Sequence, residues 1–204
     1  MLKYLALGDS YTIGEGVAAE QSWPVQLVNK LRHEDIAIDD PQIIATTGWT
    51  SGKLQAAVDK EELKPVYDLV SLLIGVNNQY RKHDMDVFRQ EFTSLLQQSI
   101  YFARKKPEGV FVLSIPDYGV TPFAAGRNPV EVAREIAAYN ELSESICRRF
   151  DVRYYNITEI SKKAATDITL LADDELHPSG SMYALWVAKI FPDVVKQIRL
   201  LQKV

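Results

Sequence analysis

Five short apolar runs, separated by longer segments of helical periodicity, leave this chain few folds to choose from. The runs cover residues 4–7, 42–45, 69–74, 110–114 and 153–155. Several are apolar at consecutive positions, as expected of strands whose two faces are both covered. LVSLLIG is the clearest central strand. Helical candidates lie at 23–32, 53–62, 87–105, 129–149 and 181–201, with Pro or Gly often supplying the punctuation. In the fourth, Val132, Ile136, Tyr139, Leu142 and Ile146 recur every three or four residues and form one buried stripe. Alternation of this kind, joined by right-handed crossovers, predicts an α/β fold. The expected architecture is a three-layer α/β/α sandwich around a flavodoxin-like, five-stranded parallel sheet. Ligands of such sheets gather at the carboxyl ends of the strands.

At 204 residues, without internal repeats or a shift in composition, the chain is expected to be one domain, 1–204, large enough for a real core. Its 47% hydrophobic and 25% charged residues are those of an ordinary folded protein, which excludes a disordered or collagenous chain. A formal charge of −4 with no basic cluster argues against nucleic acid as a partner. Cys147 is the sole cysteine, so an internal disulfide and a thiolate metal cage are both excluded. Its place in a helical segment reads as a small core residue. The charge runs RHED and YRKHDMD read as solvated helix ends or loops. No run approaches the ~18 apolar residues of a membrane helix. The opening MLKYLALGDS is too short in apolar residues for a signal peptide and runs straight into the first strand. The expectation is a cytoplasmic protein, with an exported form left open if a signal peptide has been removed. Oligomeric state leaves no signature in the sequence.

Chemistry concentrates where the strands end. Gly8-Asp9-Ser10 closes the first, where a glycine lets the backbone turn and puts the Ser10 hydroxyl at the sheet edge. Read alone, the tripeptide fits a helix N-cap as well as a nucleophile. A serine needs a base, and there are three histidines. His33 and His83 sit among charged residues, as exposed positions do. His177 lies in Asp174-Glu175-Leu176-His177-Pro178, between the fifth strand and the last helix. The three-residue spacing brings the Asp174 carboxylate to the side of the ring, where it can hold the ring N–H and fix the tautomer. An ordinary approach to a Pro-initiated helix has the same composition. Acyl transfer also needs donors for the oxyanion, each worth on the order of 3 kcal/mol. Gly48, in Thr46-Thr47-Gly48-Trp49, and the Asn77 amide, in Gly75-Val76-Asn77-Asn78, are placed to supply them. Both tetrapeptides also fit plain turns.

Together, the GDS of 8–10, the isolated Gly48, the GVNN of 75–78 and the DELHP of 174–178 resemble the SGNH hydrolases, the GDSL-type esterases and lipases. The resemblance spans residues 8–178, and the motifs occur in chain order on four of the five strand ends. It implies Ser10 as nucleophile, His177 as general base and Asp174 as the residue that orients it. It further implies an oxyanion hole made by Ser10 N–H, Gly48 N–H and the Asn77 side chain, with Asp9 as a supporting neighbour of the nucleophile. Asn78 departs from the pattern, which has Asp there, and GDSYTIGEG replaces GDSL. The implied reaction is two-step acyl transfer on a small-molecule ester, with no metal and no cofactor. Tyr11, Trp49, Tyr80 and the segment 115–127 are positioned to line the pocket. The absence of a long apolar lid points to a short acyl group on a small-molecule or carbohydrate alcohol. The alternatives are a lysophospholipase or thioesterase of the same family, or a non-catalytic flavodoxin-like binding module. The latter leaves the Asp174–His177 pair unexplained. Gly14-Glu15-Gly16-Val17-Ala18-Ala19 matches a loose dinucleotide-binding pattern, but starts too late after the first strand and lacks the acidic residue expected after the second. A zinc hydrolase needs about three protein ligands, and the histidines are scattered.

Overall fold

In the computed structural model, which describes residues 1–202, five parallel strands form one sheet in the order β2-β1-β3-β4-β5. They are β1 (Tyr4–Gly8), β2 (Gln42–Ala45), β3 (Leu69–Leu73), β4 (Val110–Leu113) and β5 (Arg153–Tyr155). The sheet is the flavodoxin-like one read from the sequence, with strand bounds that agree to within a residue. Residues 203 and 204, the end of the expected 1–204 domain, lie outside the described residues. The helices are α1 (Ser10–Ile13), α2 (Trp23–His33), α3 (Ser51–Lys60), α4 (Val76–Tyr80), α5 (Met85–Phe102), α6 (Pro129–Arg149), α7 (Thr158–Ser161) and α8 (Gly180–Leu201).

Helices cover both faces because the central strands are apolar on both. Every residue of β1, β3 and β4 is buried, and right-handed crossovers put a helix on one face when the chain moves outward from β1 and on the other when it moves back through β3 to β5. α2 and α8 pack together over one face. There Trp23 meets Phe111 edge-on at 6.2 Å, and Tyr183 meets Trp186 at 5.1 Å. α3, α5 and α6 form the other layer, where Phe88 lies 4.6 Å from Tyr139. The α6 stripe read from the sequence, Val132 to Ile146, is buried as expected, and so is Cys147, whose thiol burial pushes up to about 12. Asn128 starts this helix by accepting from Val130 N–H and Glu131 N–H, with Pro129 at its first position.

Three short helices went unread in the sequence: α1, α4 and α7 have four or five residues each. A single turn buries too few residues to show a 3.6 periodicity. The correction matters at α4, because the Val76-Asn77-Asn78 stretch expected to be a turn is helical.

The register aligns the site. Gly8 sits opposite Ala45 on one side and Leu73 on the other, so β1, β2 and β3 end at one level. The chain leaves β1 outward to β2 and then crosses to β3. The crevice between β1 and β3 is therefore the topological switch point of the sheet. Gly8 is required there for space rather than for an unusual backbone angle: a Cβ would lie 2.1 Å from Thr12 Oγ1 and 2.6 Å from the Leu73 carbonyl oxygen. Gly8→Ala is expected to destabilise the protein by about 1–3 kcal/mol. An unchanged urea midpoint would show that the β1–α1 turn opens freely.

Candidate active site

The turn after β1 positions Ser10 through its neighbours. Asp9 is the N-cap of α1, its Oδ1 accepting from Tyr11 N–H at 3.1 Å, so the capping role is filled by Asp9 and not by Ser10. Ser10 is the first helical residue, and its own N–H lies outside the helical ladder. Gly14 closes α1 in the left-handed conformation. The 14–19 glycine pattern therefore ends one helix rather than opening a phosphate-binding one.

After β2 the chain turns at Gly48, whose φ of +79° belongs to the region that favours glycine. Trp49 N–H donates to the Thr46 carbonyl at 3.2 Å, and the Gly48 carbonyl accepts from Arg81 Nη2 at 2.8 Å. Asn77, on α4, donates from Nδ2 to the Trp49 carbonyl at 3.0 Å, which locks the loop and the amide together and leaves the amide one further proton. Asn78 is fully buried beside it. Its Oδ1 accepts from Ser51 N–H at 2.9 Å, and its Nδ2 donates to Ser51 Oγ at 2.7 Å. Ser51 spends its own hydroxyl proton on Glu91. A carboxylate at position 78 would have no proton for Ser51 Oγ, which gives a local reason for Asn where the family pattern has Asp.

His177 and Asp174 lie in a closed loop. Asp174 Oδ1 accepts from Leu176 N–H at 3.0 Å and from His177 N–H at 2.9 Å, while Oδ2 meets His177 Nδ1 at 2.6 Å. The two residues between sit on a tight bend, with Glu175 at φ +57°. Ala172 N–H to the His177 carbonyl, 2.8 Å, and Ser179 N–H to the Leu170 carbonyl, 2.9 Å, staple its base. The helix that follows is capped by Ser179, not begun by Pro178. Burial raises the Asp174 carboxyl, but the hydrogen bonds from the His177 ring and from the two N–H groups outweigh it and hold the group below the usual carboxylate value. Tyr11 packs edge-on against the imidazole at 5.5 Å, fixing its second face.

Ser10, Gly48, Asn77 and His177 line one cleft of about 170 Å³, together with Thr47, Tyr11, Val76, Leu176 and the aromatic wall of Tyr80, Tyr118 and Phe123. Ser10 and His177 share it without a direct hydrogen bond. Tyr118 is held there by the turn after β4: Asp117 Oδ1 accepts from Gly119 N–H at 2.9 Å, and Ile115 N–H donates to Asn140 Oδ1 at 2.8 Å. Trp49 does not line the cleft with its ring and supplies only its carbonyl. Val76 and Leu176 went unread, since an apolar residue beside a motif carries no signal of its own. His33 and His83 are exposed, as expected. A larger cavity, about 310 Å³, lies at the opposite, amino end of the sheet around Leu2, Asp68 and Ile198. It contains none of the candidate residues, so size alone misdirects. No group of three or more His, Cys, Asp or Glu side chains among the described residues is arranged to hold a metal ion. No helix among them is long and apolar enough to cross a membrane.

Fold and cleft together define a three-layer α/β/α protein with a cleft at the carboxyl ends of its strands. The model of the GDSL-like Lipase/Acylhydrolase family matches residues 6–185, and the chain belongs to that family of enzymes, hydrolases acting on ester bonds. No curated protein matches it. Among solved structures it is similar to TesA, at 20% identity over 98% of this chain and 99% of that one, with a TM-score of 0.71. It is also similar to the psychrotrophic esterase EstA from Pseudoalteromonas sp., at 19% identity, 98% and 100% coverage and a TM-score of 0.72. A third is Axe2, an acetylxylan esterase from Geobacillus stearothermophilus, at 18% identity, 97% and 94% coverage and a TM-score of 0.72.

Asp9 contrasts with Asp174. It is fully buried, and its Oδ2 has no hydrogen-bond partner in the protein. Burial pushes its carboxyl up to about 7 against the lowering effect of the Tyr11 N–H bond. A carboxyl raised in the folded state favours folding below its unfolded value, near 4, and this contribution is lost as pH rises toward 7. Asp9→Asn keeps the cap acceptor and removes the charge. Its stability relative to the parent should therefore rise between pH 4 and 7 and level off above. A pH-independent difference in urea denaturation would refute the raised value.

Proposed function

We propose that the chain is a single-domain serine esterase that cleaves short-acyl carboxylic esters of a small-molecule or carbohydrate alcohol through an acyl-enzyme. The observation that carries this reading is the cleft where Ser10, Gly48, Asn77 and His177 meet, with His177 Nδ1 held by Asp174 at 2.6 Å. With Nδ1 so engaged, Nε2 is the free ring nitrogen. It takes the Ser10 proton as Oγ forms a bond to the ester carbonyl carbon, and the carbonyl electrons move onto oxygen. Ser10 N–H, Gly48 N–H and the spare Asn77 amide proton receive that oxyanion. Collapse expels the alcohol, which leaves with the proton from Nε2. Water then attacks the acyl-enzyme by the same route and releases the carboxylic acid and free Ser10. Nucleophile–base hydrogen bonds are often open in unliganded sites and tighten with substrate, so a shared cleft is the relevant test of geometry.

The cleft's volume supports a small substrate, since drug-sized ligands occupy pockets of about 300–1,000 Å³. The walls of Tyr11, Tyr118 and Leu176 offer apolar contact to a short acyl chain. The names of EstA and Axe2 describe an esterase and an acetylxylan esterase, which agrees with an ester of a small acyl group. A lysophospholipase or thioesterase acting on long acyl chains would need more room than a cleft of about 170 Å³ offers.

Turnover of 4-nitrophenyl acetate tests the chemistry. Ser10→Ala and His177→Ala are each expected to lower kcat by at least ~10³-fold, and Asp174→Asn by on the order of 10³–10⁴-fold, with unchanged melting curves for Ser10→Ala. Undiminished hydrolysis by Ser10→Ala removes the assignment. Across a series of nitrophenyl esters, kcat/KM is expected to peak at short acyl chains, and a maximum beyond about eight carbons contradicts the proposed substrate class.

A further inference from the structure

Resting on the esterase reading, the mouth of the cleft narrows the substrate further. Arg127 is half-buried, its guanidinium carbon 4.1 Å from the centre of the Tyr80 ring and 6.0 Å from that of Tyr118, and both rings are cleft walls. Arg81 reaches the Gly48 lip, donating from Nη2 to the Gly48 carbonyl. Among the described residues neither guanidinium has an ion-pair partner, a condition shared only by the arginines Arg134, Arg149 and Arg153, whereas Arg32, Arg89, Arg104, Arg148 and Arg199 are paired. Lys82, the cation next to Arg81, is likewise taken, by Glu135. Glu15, on the neighbouring part of the lip, accepts from the Thr47 hydroxyl and pairs with neither arginine. A guanidinium placed over an aromatic face is held by the ring quadrupole and still has five N–H donors, in the fork that matches an oxyanion.

We propose that the site selects esters whose non-scissile part carries a carboxylate or phosphate, received by Arg127 on the Tyr80 wall with Arg81 adding positive charge at the Gly48 lip. An anion received at the mouth meets positive charge from the side of Tyr80 and from the side of Gly48, with no ion pair among the described residues to displace first. Its position over the Tyr80 ring makes Arg127 the specificity residue. Arg81 is in addition tied to the Gly48 loop, so its removal would alter the rate for every ester.

Methyl 4-acetoxybenzoate, 4-acetoxybenzoate and 4-acetoxyphenyl phosphate present the same acyl group with a neutral, a carboxylate or a phosphate substituent. In Arg127→Gln the ratio of kcat/KM for an anionic over the neutral ester is expected to fall about tenfold or more, as the loss of a charged hydrogen bond requires. Arg127→Lys should keep part of the ratio, and added salt should lower it in the parent protein. The carboxylate and phosphate arms show which anion is preferred. An Arg127 that merely props the Tyr80 wall would lower all three rates together, and that result, or a ratio indifferent to both substitution and salt, overturns the proposal. If the parent protein hydrolyses none of the three esters, the esterase reading fails by itself. Benzoate and phenyl phosphate then decide the anion site: a rise in Tm in the parent that is absent in Arg127→Gln sustains it, and no rise in either overturns it.

Discussion

Everything in this molecule's cleft depends on β1 lying level between β2 and β3. Gly8 faces Ala45 and Leu73, so three parallel strands stop together and their following loops emerge side by side. Parallel pairing makes this automatic once the register is set, because every strand points its carboxyl end the same way. The close approach of Thr12 and the Leu73 carbonyl to Gly8 then folds α1 tightly over the strand end and delivers Ser10 to the edge. A wider turn would carry the hydroxyl away from the Gly48 and Asn77 loops.

The fourth contributor comes from the far end of the chain and is positioned by a different device. The loop carrying His177 has no strand to align it, so it is closed on itself by short backbone hydrogen bonds and by the two oxygens of one carboxylate. Asp174 therefore shapes the loop and restrains the imidazole with the same side chain. Asp9 has the opposite environment, buried with one oxygen unpartnered, and its carboxyl is raised where that of Asp174 is lowered. Two aspartates near one cleft are thus driven toward different protonation by burial on one side and donated hydrogen bonds on the other.

Much of the fold was legible because its signals are periodic. β2, β5 and α6 agree with the sequence reading to the residue, since a both-sides-buried strand and a one-sided helix leave different apolar spacings. α1, α4 and α7 were not legible, being too short for any period to show. Ser10, Gly48, Asn77, Asp174 and His177 each fit plain turn or cap chemistry when read alone and are singled out by the joint occurrence of their motifs in chain order, and all but Asp174 line the same space. Trp49 was read for its ring and contributes its carbonyl. The spacing of Asp174 and His177 reads as one that brings the carboxylate beside the ring within a loop, and the pair does meet; what the spacing does not show is that the same carboxylate also caps the loop, accepting from the N–H groups two and three residues ahead. The value of Asn78 was out of reach, since the requirement for a donor there arises from Ser51 and Glu91, which belong to other helices.

The sequence by itself determined the architecture, the order of the elements and the residue types able to carry acyl transfer, because these follow from local periodicity and from chemistry each residue brings with it. Only the tertiary structure decided which of those residues face one another, how small the cleft is, and that Arg127 lies over Tyr80 without an ion pair among the described residues. Proximity between segments far apart in the chain is set by packing and register summed over the whole sheet, and no local pattern encodes that sum.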